Sequence, residues 1–266
     1  MTAMSATASA FYGHLKSSIK SALRPAPIAD GRIHTIVRQL RQTGYVVIPG
    51  YYTADQCATL RADIDRIIHD QPEALQKDKT GADCRIFGSE RASPAIRAFH
   101  DDPFCRDVGQ AYRRGPLTNF STLAARLTAK PGNLGSGQGW HRDAFYFQYK
   151  SMIYLSDVSP DNGPFQLLPG SQRMLNVVRD TFVGRLDAPP ASRITQEQVA
   201  RLLARDPARA VSLPASAGTL VLFDSSTIHR GMPINVGTRY ALTNYYFTPE
   251  SVTPAMRAAF APYAHG

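Results

Sequence analysis

The sequence predicts a mainly β fold, a sandwich or barrel of short strands with helices packed outside it. Three observations predict it. From about residue 118 the chain breaks into short apolar runs: LAARLTAKPG, YFQYKSMIYLSDV, GPFQLLPGS, GTLVLFDSS and TRYALTNYYF. Turn signals separate these runs, at Pro131-Gly132, Asp161-Asn162-Gly163, Pro169-Gly170 and Gly218. Helical spacing, by contrast, is concentrated ahead of residue 70.

In chain order, residues 1–30 form an extension that ends in the Pro-rich RPAPIADG. Within it Phe11, Leu15, Ile19 and Leu23 recur every four residues beside Lys16, Lys20 and Arg24, an amphipathic helix with a basic flank. Its apolar stripe is expected to pack on the domain, with a membrane-surface role as the alternative. Helical spacing resumes from Ile33 to Leu40 and Gly44 closes it. The β-branched run Tyr45-Val46-Val47-Ile48 follows, and then a helix that the Thr53 hydroxyl can cap, with Cys57, Leu60, Ile64 and Ile67 on one face. Among the later strands, residues 174–210 read as a polar, Arg-rich insertion with one helix, TQEQVARLLARD. One domain over 31–250 and a tail over 251–266 are expected, with no internal repeat.

With 43% hydrophobic residues the chain can build one substantial core. No stretch reaches the roughly 18–20 apolar residues of a membrane span. The N-terminus lacks a basic head followed by an apolar run, and Cys57, Cys84 and Cys105 show no paired spacing. Free thiols in the cytoplasm are therefore expected. The net charge of +9 raises nucleic acid as a partner, but the Lys and Arg residues are dispersed and form no recognition pattern. Small anionic molecules suit the charge better.

The stretch GWHRDAFYF carries His141 and Asp143, and GTLVLFDSSTIHRGMP delivers His229 just beyond an apolar strand. Arg239 opens the next strand. Two histidines and one carboxylate form the facial set that holds non-haem iron(II) and leaves positions open for other ligands. In a strand, residues i and i+2 share a face, so His141 and Asp143 can meet one ion. His229 joins them only in a fold that unites distant strands, as a jelly roll does. A guanidinium at the strand mouth can grip a carboxylate with two parallel hydrogen bonds. Each piece alone is commonplace, since a lone His-x-Asp is more often a polar surface pair. The order and the β-rich setting give the combination its weight.

Three stretches resemble the phytanoyl-CoA dioxygenase family of iron(II)- and 2-oxoglutarate-dependent oxygenases. They are GYVVIPGYYTADQCATLRADIDRII, the pair GWHRD and SDVSPDNGPFQLLPGSQR, and GTLVLFDSSTIHRG with NVGTRYALTNYYF. The resemblance implies a double-stranded β-helix (jelly-roll) core with helices outside. It implies iron(II) on His141, Asp143 and His229, and 2-oxoglutarate with its far carboxylate on Arg239. It implies O2 as the other reactant, and succinate and CO2 as products beside a hydroxylated small molecule. Thr128 and Met152 fall where relatives contact 2-oxoglutarate. Asp143 retains the carboxylate that halogenating relatives replace, so hydroxylation is implied. Two departures stand out. Gln172 replaces the histidine of PGSH, a structural difference, and Gly231 stands where many relatives place a serine that bonds 2-oxoglutarate.

If Met152 faces inward, strand parity turns Tyr154, Lys150, Gln148 and Tyr146 the same way. Tyr146, Gln148 and Lys150 are then candidate substrate contacts, with Arg85 and Trp140, and Phe145 to Phe147 as walls near the metal. Anionic, sugar-derived, amino-acid-derived and acyl substrates all remain open. So do desaturation or epimerisation at the same centre, and a non-catalytic jelly-roll binding protein. The oligomeric state is not legible.

Overall fold

A computed structural model describes residues 3–22, 31–187 and 191–260. The N-terminal half supplies helices α1 (Ala3–Ala22), α2 (Gly31–Thr43) and α3 (Ala54–Asp70), with strands β1 (Tyr45–Ile48), β2 (Gln76–Lys77) and β3 (Asp83–Ile86) among and after them. Helices α4 (Pro94–His100) and α5 (Pro103–Arg113) lead into β4 (Thr118–Thr128), β5 (Tyr149–Tyr154) and β6 (Phe165–Leu167). Then come α6 (Met174–Gly184), α7 (Gln196–Leu203), β7 (Val211–Leu213), β8 (Leu220–Asp224), β9 (His229–Gly231), β10 (Thr238–Phe247) and α8 (Pro254–Phe260).

The strands form two antiparallel sheets, one of seven in the order β1-β8-β5-β10-β4-β3-β2 and one of three in the order β7-β6-β9. This is the expected mainly β core with flanking helices. Strand β5 shows why both faces of the large sheet are covered. Its six residues are all buried. Tyr149 and Ile153 pack outward on the core shared with α2, α3, α4 and α5, whereas Met152 and Tyr154 pack inward with Phe165, Leu167 and Phe223. The alternation is the period of two that any strand imposes.

The predicted helix of residues 33–40 and the Thr53-capped helix are present, and Thr53 with Gln56 forms a reciprocal capping box. The long strand read in YFQYKSMIYLSDV is shorter, starting only at Tyr149. Phe147 adopts φ 35°, a left-handed conformation that no strand continues through. The 174–210 insertion holds two helices where one was predicted, because Val177 and Thr181 bury a face of α6 that reads as polar in sequence.

The N-terminal helix is present, and it packs along α6. The side that docks is the small-residue side. Ala6 is buried, and a Cβ on Gly13 would run into the Tyr146 phenol. Phe11 and Ile19, expected to face the domain, stay exposed, and Leu23 lies outside the described residues. Cys57, Cys84 and Cys105 are free and buried. No described helix is long and apolar enough to cross a membrane.

Candidate metal centre

His229 opens β9 at the edge of the small sheet, and the backbone of His141 pairs with it. Each amide of this pair donates to the other residue's carbonyl, both at 2.9 Å. The two histidines are therefore cross-strand neighbours, which puts their rings 4.3 Å apart. The Asp143 amide donates to the Ser225 carbonyl at 2.9 Å, so the same stretch is fixed at a second point. The segment is extended by these bridges and is not a regular strand.

Ligand-like atoms of His141, Asp143 and His229 lie within 4.8 Å of one another. The His141 and His229 Nε2 atoms stand 3.6 and 3.8 Å from the Asp143 carboxylate. Both Nδ1 atoms face backbone carbonyls two residues back, Gly139 at 2.9 Å and Thr227 at 2.8 Å. A carbonyl only accepts, so each Nδ1 carries the proton and each Nε2 presents a lone pair to the centre. Burial lowers both imidazoles, His229 to about 3 with the help of neighbouring His141, so both stay neutral. Burial alone would raise the Asp143 carboxyl, but the Lys150 ammonium beside it outweighs this and holds the group ionised. Lys150 Nζ donates to Asp143 Oδ2 at 2.6 Å and lies 3.8 Å from the Tyr245 ring centroid. Two neutral imidazoles and one carboxylate suit a divalent transition metal.

The centre opens on a cavity of about 250 Å³ between the two sheets. From the large sheet come Arg85, Leu123, Lys150, Met152 and Phe223, with Arg239, Thr243 and Tyr245 alternating along β10. From the small sheet come Phe165, His229 and Gly231. Arg239 is buried, donates through Nη1 to the Gly163 carbonyl, and has an Nε with no hydrogen-bond partner. A buried guanidinium with an unused donor and no salt bridge among the described residues can receive an anion.

Two glycines shape the chamber. Gly137 has φ +85°, and a Cβ there would sit 2.5 Å from His141 Cε1, so only glycine lets this loop cross the ring. At Gly231 the space for a Cβ is taken by Ser136, whose Cβ would be 2.8 Å away. The serine that relatives carry at this position has no room here.

Of the residues read from sequence, His141, Asp143, His229, Arg239, Met152, Lys150 and Arg85 meet at this cavity. Thr128 does not line it. It ends β4 opposite Thr238, and Thr243 lines the wall instead. Trp140 is buried beneath Arg230, with Leu168 and Ile194 in a separate core. Tyr146 and Gln148 line a second cavity with Tyr112 and Phe147, and Gln148 donates to the Tyr246 carbonyl at 2.9 Å. Phe145 packs on Val177. For Tyr146 the left-handed Phe147 breaks the strand parity, and Gln148 stands outside β5 with its amide on Asp224 Oδ1. Arg142 turns away and donates from Nη1 to the Ser171 and Ser226 carbonyls. Gln172 is structural, donating to the Leu40 and Arg41 carbonyls.

Sequence reasoning missed Ser136, Ser192 and Arg193, which loops bring in, and Thr243 and Tyr245. Only the last two carried a signal, since they share parity with Arg239 along β10.

Residues 40–238 match the family model described as Phytanoyl-CoA dioxygenase (PhyH). Ectoine dioxygenase of Stutzerimonas stutzeri is 25% identical over 268 residues, covering 91% of this chain and 83% of that protein. L-Proline trans-4-hydroxylase of Streptomyces griseoviridis is 24% identical over 225 residues, covering 77% and 80%. Among solved structures, EctD from S. alaskensis with 2-oxoglutarate and 5-hydroxyectoine superposes with a TM-score of 0.63 at 18% identity, covering 85% of this chain and 78% of that one. The epimerase SnoN with Fe3+, alpha-ketoglutarate and nogalamycin RO gives 0.63 at 18% identity, covering 83% and 88%.

Proposed function

The chain belongs to the phytanoyl-CoA dioxygenase family, and from that premise we propose that it hydroxylates an unactivated C–H bond of a small molecule, with His141, Asp143 and His229 holding the iron. It is a non-haem iron(II)- and 2-oxoglutarate-dependent oxygenase. When bound, iron(II) with 2-oxoglutarate and O2 supplies the oxidising power, and succinate and CO2 leave as co-products.

The observation that carries the assignment is one cavity with a preformed donor set at one region and the buried Arg239 guanidinium at another. His141 and His229 are locked in the Nε2-presenting tautomer by their own i−2 carbonyls. Asp143 contributes the single negative charge of the donor set, and Lys150 fixes the carboxylate's orientation through Oδ2. Arg239 receives the far carboxylate of 2-oxoglutarate and so sets the direction in which the co-substrate lies. Phe165 and Phe223 pack 5.3 and 5.8 Å from the His229 ring and keep water from that side.

The complete donor set and the unpartnered Arg239 favour turnover over a binding-only role. Hydroxylation is favoured over epimerisation because the curated relatives are named dioxygenase and hydroxylase. The test is oxygen-dependent conversion of 2-oxoglutarate to succinate with added iron(II), read alongside gain of one oxygen by a metabolite. His141→Ala retaining full activity would remove the assignment.

A further inference from the structure

The cavity walls carry more positive charge than the loaded centre can use. Four cationic side chains line it, Arg85, Lys150, Arg193 and Arg239, against one carboxylate, Asp143. Arg85 is in an ion pair, with Nη2 2.6 Å from Asp83 Oδ2 and 2.9 Å from Ser136 Oγ, and keeps a buried Nε without a hydrogen-bond partner. Arg239 is taken by the far carboxylate of 2-oxoglutarate on the reading above. An ion held on Asp143 would share that carboxylate with Lys150, whose Nζ donates to Oδ2. Arg193 has no salt bridge among the described residues. Its backbone bridges to His141 and its Nη1 donates to the Gly137 and Gln138 carbonyls, which places it at the exposed lip beside the centre.

We propose that the substrate is a small organic anion whose carboxylate or phosphate group is held by Arg193 at the lip, with the positive charge of Lys150 beneath it. The inference rests on the oxygenase reading and names the substrate class of the same site. Arg193 is exposed and in no ion pair among the described residues, so an acid group gains a charge-assisted contact there without breaking an existing pair, and a neutral substrate gains none. The fork of Arg193 offers paired donors that suit either acid group. At about 250 Å³, shared with the co-substrate, the cavity encloses a small acid and not a whole acyl-CoA.

The test uses the full chain loaded with iron(II) and 2-oxoglutarate. A metabolite pool is separated by ion exchange into anionic, neutral and cationic fractions, and succinate formation is read above the level without added metabolite. The anionic fraction is expected to drive it, and phosphatase treatment of that fraction separates phosphate from carboxylate substrates. The compound that gains oxygen is then titrated anaerobically by calorimetry. Arg193→Gln is expected to weaken its binding roughly ten-fold or more, with KM rising far more than kcat and Arg193→Lys recovering part of the loss. Cobalt(II) binding, read by its absorption, shows whether the Arg193→Gln centre is intact. If the anionic fraction does not stimulate, or Arg193→Gln with an intact centre binds the compound normally, the inference is overturned. If the wild-type protein fails to bind 2-oxoglutarate in a metal-dependent way, the oxygenase reading itself falls, which is a separate outcome.

Discussion

Arg239 and Gly231 show how single residues set the chemistry of the chamber. Arg239 is buried with an unused Nε, so its loss removes the charge proposed to receive 2-oxoglutarate without touching the donor set. Arg239→Ala is expected to raise the KM for 2-oxoglutarate roughly 30-fold or more, from the loss of a charge-assisted contact of about 2–5 kcal/mol, with metal binding retained. Steady-state kinetics and cobalt(II) titration check the two halves. Gly231→Ser puts a side chain into space that Ser136 fills, and should destabilise the fold by about 1–3 kcal/mol, read by chemical denaturation. Ser136→Gly in the same chain should recover little of that loss, because the Ser136 backbone N and O also stand 2.9 Å from where the Cβ would be. The centre was legible in sequence because its signals are local, a His-x-Asp and a histidine after an apolar strand. Ser136 and Arg193 were not, because non-local packing of their loops decides where they go.

At the scale of elements, the β8–β9 turn that delivers His229 is held by Asp224. Its Oδ1 accepts from the Ser226 amide and hydroxyl at 2.9 and 2.6 Å and from the Gln148 amide at 3.1 Å. Its Oδ2 accepts from the Tyr112 hydroxyl at 2.6 Å, which ties α5 to β8. Tyr112→Phe leaves a buried carboxylate oxygen without this donor, and should cost about 1.5–3 kcal/mol of stability. Equilibrium unfolding in urea measures it, and an unchanged midpoint would mean that the turn is held by other contacts. Helices with a strong apolar face, such as α3, were legible, and so were strands bounded by glycine and proline. The start of β5 was not. Nothing in YFQYK announces that Phe147 takes a left-handed conformation, which redirects Tyr146, or that Gln148 is held outside β5 by Asp224 and the Tyr246 carbonyl. The docking side of α1 was also misread, because small residues pack closely against α6 where the large ones do not.

Across the whole molecule, the cavity is walled by two sheets that no strand pair joins at the centre. His229 comes from the small sheet, while Lys150, Met152 and Arg239 come from the large one. A ligand set that spans them acts as a clamp. On the proposed assignment the metal would draw on the small-sheet side through His141 and His229, and 2-oxoglutarate would carry the link to Arg239 on β10. Metal and co-substrate together should therefore raise Tm more than the sum of their separate effects. At 100-fold excess over its Kd a ligand contributes about 2.7 kcal/mol, which for a domain of this size is about 5–10 °C. Manganese(II) serves as an oxygen-inert stand-in for iron(II), and differential scanning calorimetry reads the shift. In Asp143→Ala the metal-dependent part should vanish, and in Arg239→Ala only the extra gain from 2-oxoglutarate should. An equal rise in Asp143→Ala would mean that the ion binds elsewhere, and a purely additive rise in the wild type would mean that the co-substrate does not bridge the sheets.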